Sequence, residues 1–164
     1  MAGSRIDKRA VITKIRAVLA KEIDVLRQSA ASAREGATHD QAKPESDKDT
    51  RAIEASYLAG AQSARVRVLE AADKRLEFQE LRDFKPTDAV GPGALVDVEV
   101  DGKWSRYFLA EAAGGTKIEH DGVEIVVLTP EAPLAQSLLG KKTGETFERT
   151  VRGEALEYEI VGVA

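Results

Sequence analysis

The chain has 164 residues, no cysteine, two histidines and a formal net charge of −4. The absence of cysteine excludes disulfides, thiol catalysis and cysteine-based zinc sites, and we interpret the histidines, His39 and His120, as exposed polar residues. No apolar run approaches the roughly 20 residues that cross a bilayer, and the N-terminus is charged rather than signal-like, so we expect a cytoplasmic protein without membrane contact.

The two halves of the sequence differ in charge. Residues 1–82 carry 16 Lys and Arg against 13 Asp and Glu, a net charge of +3, whereas residues 83–164 carry 8 against 15, a net charge of −7. A mildly basic first half is compatible with a weak contact to DNA or RNA. It lacks the dense basic patch with aromatics that marks an autonomous nucleic-acid binder.

The N-terminal third predicts a long helix from about Asp7, an expected N-cap, to about Arg34. Its apolar residues recur every three or four positions, which is the period of one helix face. They are Val11, Ile15, Leu19, Ile23, Leu26, Ala30 and Ala33.

A polar, acid-bearing break follows at 38–50, where Pro44 cannot sit inside a regular helix. A second helix is predicted from about Thr50, with a stripe of similar spacing. The stripe consists of Tyr57, Ala61, Ala64, Val68, Ala72 and Leu76. Neither stripe is wide enough to stand alone, so we expect the helices to pack antiparallel as a coiled-coil hairpin over 1–83 with the break at its tip.

Residues 84–92 contain two prolines and predict a linker. Beyond it the apolar period changes to two, and Asp101-Gly102 and Asp121-Gly122 are typical of tight hairpin turns. Pro133 and Gly140 bracket one short helix. Residues 93–164 therefore predict an antiparallel sheet with one short helix, and the chain as a whole is of the α+β class.

In the segment Thr129–Glu145 a proline-rich stretch leads into a short helix ending Leu-Leu-Gly-Lys, and Leu156-Glu-Tyr-Glu-Ile-Val161 follows it. In these residues the C-terminal part of the chain resembles the GreA/GreB family of bacterial transcription elongation factors. The resemblance covers roughly residues 90–163, and Ala55-Ser-Tyr57 resembles the start of the family's second helical arm.

The resemblance implies a regulator that binds bacterial RNA polymerase and nascent RNA. The C-terminal domain would be FKBP-like and would dock at the rim of the secondary channel. The hairpin would reach through that channel to the active centre. In cleavage-stimulating members, tip carboxylates help to hold a Mg²⁺ ion for hydrolysis of backtracked RNA, so the chain would be no enzyme itself and would hold no metal alone.

The tip departs from the family pattern. With Tyr57 as anchor, the family's two acids fall on Thr50 and Ile53. Nearby acids are Glu45, Asp47, Asp49 and Glu54, and we expect the first three to alternate along an extended tip. On this hypothesis they approach the polymerase metals, with Glu54 as a fourth and with Asp47 and Asp49 sharing the Mg²⁺.

The docking segment implied by the resemblance is Thr129, Pro130, Glu131, Ala132 and Pro133. Its two prolines rigidify it, which reduces the ordering cost of binding.

Promotion of transcript cleavage by a monomer is the leading hypothesis. The alternatives are a Gre-like inhibitor that occupies the channel without assisting cleavage, a peptidyl-prolyl isomerase, and a purely structural coiled-coil dimeriser. The isomerase is disfavoured because the aromatic residues are expected to fill the core of the small domain rather than line a pocket. They are Trp104, Tyr107, Phe108, Phe147 and Tyr158.

Overall fold

The computed structural model describes residues 6–39 and 45–164, with side chains described in 6–33 and 49–164. Two long helices, α1 (Lys8–His39) and α2 (Glu45–Glu77), precede a sheet domain. That domain comprises β1 (Leu95–Val100), β2 (Lys103–Leu109), β3 (Lys117–His120), β4 (Val123–Leu128), α3 (Pro133–Leu138), β5 (Thr146–Val151) and β6 (Glu154–Val163). The predicted α+β class is confirmed.

Asp7 caps the start of α1, as predicted. Its Oδ1 accepts hydrogen bonds from the backbone N–H groups of Arg9 at 2.9 Å and Ala10 at 3.3 Å. These N–H groups have no partner within the helix, and the carboxylate supplies one. Its negative charge is also favourable near the positive end of the helix dipole.

Both helices run closer to the tip than the sequence predicted. α1 continues through Gly36 to His39, and α2 begins at Glu45, so Thr50 lies inside α2 and is not its cap. Good helix formers outweigh the single glycine, whose cost is about 1 kcal/mol. Residues 40–44 of the predicted break, Pro44 among them, lie outside the described residues.

Two compact units make up the chain: the stretch up to Arg16 joined with Ala72–Ala164, and Ala17–Ala71. The predicted boundaries at 1–83, 84–92 and 93–164 follow the change of sequence pattern instead. The predicted linker contains neither helix nor strand, but its Phe84 and Val90 are buried in the core of the first unit.

The unit formed by Ala17–Ala71 is an antiparallel helical pair. Arg65 binds Glu22 at 2.8 Å, Gln62 donates to Ser29 Oγ at 3.1 Å, and Arg27 binds Glu70 at 2.6 Å. Leu19, Ile23 and Leu69 are buried between the helices. The predicted coiled-coil hairpin is therefore confirmed in this unit.

The sheet of the other unit has the strand order β3-β4-β2-β1-β6-β5. All neighbouring pairs are antiparallel except β2 and β4, which run parallel, so the expected all-antiparallel sheet is corrected to a mixed one. A parallel pair needs a longer crossover, and β3 occupies that connection. The sequence prediction missed β3, although Asp121-Gly122 announces a hairpin there.

Both predicted Asp-Gly turns adopt left-handed backbone conformations. Asp101 and Gly102 have φ angles of 49° and 71°, and Asp121 and Gly122 have φ angles of 52° and 76°. These values match the type I′ turn that suits the twist of a two-residue hairpin.

The sheet's core cluster contains Val96, Val98, Tyr158 and Ile160, with Leu138 from α3. Leu134 of α3 and Leu139, which directly follows α3, are packed against it. Phe108 and Tyr158 are buried, but Trp104 is 44% exposed, and the Arg106 guanidinium stacks on its ring at 4.8 Å. Trp104 was therefore wrongly assigned to the core.

His120 also differs from expectation, since its side chain is only 10% exposed. Its Nδ1 is buried without a hydrogen-bond partner. The ring follows Ile118 on the same side of β3, which is why it is covered. The side chain of His39 lies outside the described residues.

Candidate functional site: the docking loop and the hairpin arm

The predicted docking segment, Thr129–Pro133, connects β4 to α3. Its backbone forms a tight turn, in which the Ala132 N–H donates to Thr129 O at 2.9 Å. Pro130, Glu131 and Pro133 are exposed, whereas Thr129 and Ala132 are partly buried. The segment thus presents two rigid rings and one carboxylate to solvent.

Glu131 is held by its own loop. Its own backbone N–H and then the Thr129 hydroxyl hydrogen-bond the carboxylate, and with a smaller contribution from the charge of Arg75 they lower its pKa. A charged carboxylate already oriented by local donors loses little freedom when a cationic group binds it. Glu131 is accordingly the polar group of the segment best prepared for docking.

A glycine keeps Thr129 in place from the opposite side. A Cβ added at Gly114 would lie 3.1 Å from both the Oγ1 and the Cγ2 atoms of Thr129. The close approach needs a residue without a side chain, because a contact this short would force the neighbouring side chain to move. Sequence reasoning missed Gly114, since the pair Gly114-Gly115 is indistinguishable from an ordinary turn signal.

The other end of the loop is anchored by α3. Ala132 is the N-cap without a side-chain hydrogen bond, and Pro133 occupies the start of the helix. Proline suits this position because the first N–H groups of a helix have no partner within it. Gly140 ends the element and donates to Val90 O at 2.9 Å. The predicted helix bounds are confirmed here.

The predicted tip acids lie on a helix and not on an extended segment. α2 begins at Glu45, so positions 45, 47 and 49 lie on a helix. Each step of two residues turns about 200° around the helix axis, at 100° per residue. Positions 47 and 49 therefore fall on opposite sides of the helix axis, and positions 45 and 49 fall on one side. The side chains of Glu45 and Asp47 lie outside the described residues.

Asp49 and Glu54 are both described and both exposed. Five residues apart on a helix, they diverge by about 140°, so the two carboxylates do not converge on one ion from the same helix face. Among the described residues no group of three or more His, Cys, Asp or Glu side chains is placed to hold a metal ion. Thr50 and Ile53, the positions matched to the family's acids, lie on the same helix, and Ile53 is 59% exposed.

The predicted buried stripe of α2 is only partly correct. Leu76 is buried, but Tyr57 and Val68 are 79% and 58% exposed, and Ala61 and Ala64 are exposed as well. Leu69, Val66 and Gln62 face α1 instead. Gln62 donates a hydrogen bond to Ser29. A polar residue therefore faces α1 where the hydrophobic pattern predicted Ala61. On α1 the prediction holds from Val11 to Ile23, whereas Ala33 is exposed.

A Cβ added at Gly60, inside α2, would meet no atom within 4 Å. Among the described residues, none of the helices is long and apolar enough to cross a membrane.

The solved structures similar to this chain include the transcription factor Gfh1, 15% identical with a TM-score of 0.40 over 92% of this chain and 93% of that one. Gfh1 from Thermus aquaticus is 16% identical with a TM-score of 0.38 over 90% and 92% of the two chains. A GreA/GreB elongation factor from Nitrosomonas europaea is 22% identical with a TM-score of 0.36 over 58% and 78%.

No curated protein matches the chain. The family model for the C-terminal domain of the transcription elongation factor GreA/GreB matches residues 85–164, which confirms the resemblance carried by Thr129–Glu145 and Leu156–Val161. Residues 85–164, with the predicted docking segment Thr129–Pro133 among them, belong to the GreA/GreB family of transcription elongation factors.

Proposed function

We propose that this chain is a cytoplasmic elongation factor that binds bacterial RNA polymerase and acts through its secondary channel. The observation that carries the proposal is the GreA/GreB C-terminal domain over residues 85–164. The second partner is the nascent RNA in the elongation complex. The chain supplies no complete active site, and hydrolysis takes place in the polymerase.

Docking is assigned to Thr129–Pro133. The exposed rings of Pro130 and Pro133 are fixed in conformation, and the Glu131 carboxylate is oriented by its own N–H and the Thr129 hydroxyl. Each feature reduces the entropy lost on binding. The partner surface that fits this segment carries a cationic side chain beside an apolar patch.

Promotion of transcript cleavage is the first candidate activity. A second Mg²⁺ ion assists phosphodiester hydrolysis by stabilising the attacking and leaving oxygens, and hard carboxylate oxygens are its ligands. Of the acids Glu45, Asp47, Asp49 and Glu54, the first and third occupy positions one turn apart on α2. We propose Glu45 and Asp49 as the pair that shares Mg²⁺ with the polymerase, in place of Asp47 and Asp49.

Inhibition without cleavage is the second candidate. It is favoured by one observation: at the position matched to a family carboxylate, Ile53 presents an exposed apolar side chain. An aliphatic side chain cannot ligate Mg²⁺, so an arm carrying it would fill the channel without activating water.

The test is RNA cleavage in stalled, backtracked elongation complexes built with the polymerase of the same bacterium. The arms are wild type, the double variant Glu45→Gln/Asp49→Asn, and Asp24→Asn as a control that neutralises an exposed acid of α1. Faster shortening of the transcript that only the double variant loses supports cleavage. Binding without faster shortening supports inhibition, and absence of binding overturns the proposed function.

A further inference from the structure

Four members of the α2 stripe that was predicted to be buried lie, together with Ile53, on an exposed apolar face of the helix. Ile53, Tyr57, Ala61, Ala64 and Val68 lie within an arc of about 80° around the helix, at 100° per residue. All five are exposed. From Ile53 to Val68 the face extends about 22 Å, at 1.5 Å per residue.

The face is self-complementary when a second α2 crosses it antiparallel. A two-fold axis between Gly60 and Ala61 places Ile53 of one copy opposite Val68 of the other, and Tyr57 opposite Ala64. The bulky phenol ring therefore meets a methyl group. Gly60 and Ala61 lie at the level of the axis, on the two edges of the face, and a Cβ added at Gly60 would meet no atom within 4 Å. Small residues at a crossing point allow two helix backbones to approach closely.

Opposite charges line one edge of this face. Glu54 and Arg65 are exposed and lie on the same edge. The antiparallel arrangement brings Glu54 of one copy to within about 3 Å, measured along the axis, of Arg65 of the other. Arg65 is held in position by Glu22, whose Oε1 accepts from Nε at 3.0 Å and from Nη2 at 2.8 Å. Two-fold symmetry makes this pair twice.

We propose that a second copy of this chain covers the face, through antiparallel pairing of the two α2 helices about Gly60 and Ala61. The complementarity of size at Tyr57 and Ala64 and of charge at Glu54 and Arg65 selects this partner. The inference goes beyond the proposed function and departs from the expected monomer. A dimer of this kind covers one face of each hairpin while the factor is away from the polymerase.

The dimer is weak. One helix face of this length falls below the roughly 1,200–2,000 Å² of total buried surface found in stable interfaces. Association therefore depends on concentration. The monomer dominates in dilute solution, and the hairpin is then free.

The first experiment is sedimentation equilibrium of the full chain over a wide concentration range, without polymerase. The average mass is expected to rise from monomer toward dimer. Val68→Glu places a carboxylate against Ile53 at each end of the pair and is expected to weaken association roughly tenfold or more. Val25→Glu is the matched control, because Val25 is 57% exposed on α1 and lies off the face. Circular dichroism checks that both variants remain helical.

The second experiment uses the absence of cysteine from the sequence. Ala61→Cys lies beside the proposed axis, and Ser63→Cys lies two residues further on, about 200° around α2. Under an added thiol oxidant, Ala61→Cys is expected to form disulfide dimers much faster than Ser63→Cys.

A wild-type chain that stays monomeric at every concentration overturns the proposal, as does equal cross-linking at the two cysteine positions. Weaker binding of the Val68→Glu variant to polymerase, in a chain that never dimerises, would assign the face to the polymerase and overturn the proposal too.

Discussion

At the scale of single residues, the chain uses local donors and close approaches to fix groups before any partner arrives. Lys8 is an example in the buried part of the first unit. Its Nζ donates to Arg82 O at 2.8 Å and lies 4.5 Å from the centre of the Phe84 ring. Burial, and to a smaller extent the charge of Arg82, lowers the pKa of Lys8 from 10.5 to about 8.

The lowered pKa predicts how stability responds to pH. The unfolded chain keeps the Lys8 proton up to about pH 10.4, whereas the folded chain releases it near pH 8, so between these values the unfolded state binds more protons. The cost of burying this charge is therefore full below about pH 8 and fades as pH rises toward 10.4. Lys8→Met is expected to gain stability relative to wild type at pH 7 and to lose most of that advantage at pH 9.5. Urea unfolding of both proteins at each pH measures this, and an advantage independent of pH would contradict it.

Gly114 carries a second residue-scale prediction. Gly114→Ala would bring a Cβ to 3.1 Å from the Thr129 side chain, and a β-branched residue has few alternative rotamers. We expect a loss of about 1–3 kcal/mol in the free energy of unfolding and weaker polymerase binding, because Thr129 also orients Glu131. Thermal unfolding and a binding assay measure the two effects. An unchanged Tm together with unchanged affinity would show that the loop does not depend on this contact.

Among the helices, strands and turns, the sequence predicted the structure correctly where the chemistry of one or two residues determines it. The cap at Asp7, the Asp-Gly turns and the bounds of α3 each rest on the local chemistry of one or two residues, and each was predicted correctly. The face of α2 was not, because its apolar residues are spread around the helix and the packing with α1 selects Leu69 and Val66 over Val68 and Ala64. The hydrophobic periodicity of α2 does not by itself show which of these residues pack against α1. The parallel pairing of β2 with β4 is likewise a tertiary choice.

An ion pair between Arg16 and Asp73 joins the two helices at the base of the hairpin. Its removal is expected to lower the free energy of unfolding. Arg16 donates from Nε and Nη2 to the two Asp73 oxygens at 2.7 and 3.0 Å, and its hydrogen bonds lower the pKa of Asp73. Asp73→Asn is expected to cost about 1 kcal/mol at neutral pH, since both side chains are about a third exposed.

The same pair has a defined pH dependence. The folded pKa of Asp73 lies below the unfolded value, so its contribution is present at neutral pH and is lost as pH falls through about 4 and below. Chemical denaturation of wild type and Asp73→Asn should therefore give converging stabilities at acid pH. A difference that stayed constant would contradict the pairing.

Substitution of Gly60 on α2 is expected to raise the free energy of unfolding, whereas Asp73→Asn is expected to lower it. A Cβ at this position would meet no atom within 4 Å, and the residue lies inside a helix. Gly60→Ala is expected to stabilise the chain by about 0.5–1 kcal/mol, because alanine loses less backbone entropy on helix formation. Unfolding at low protein concentration measures the gain, and destabilisation would contradict the open environment described for this residue.

At the scale of the whole molecule, function was predicted from family-like motifs in the C-terminal third and not from the long helices. The sequence of Thr129–Glu145 identifies the family because several spaced elements agree. The tip could not be predicted in the same way. Its acids follow no family spacing, and α2 places them at angles that an extended segment would not impose.

The proposed function requires that the chain bind RNA polymerase through its C-terminal domain. The direct measurement is the affinity of the full chain for core RNA polymerase of its own bacterium, compared with Glu131→Gln and with Glu148→Gln, which neutralises an exposed glutamate of β5. We expect wild type and Glu148→Gln to bind equally and Glu131→Gln to bind roughly tenfold more weakly, since a charged carboxylate makes a stronger hydrogen bond to a cationic group than a neutral amide does. Failure of the wild-type chain to bind would contradict the account.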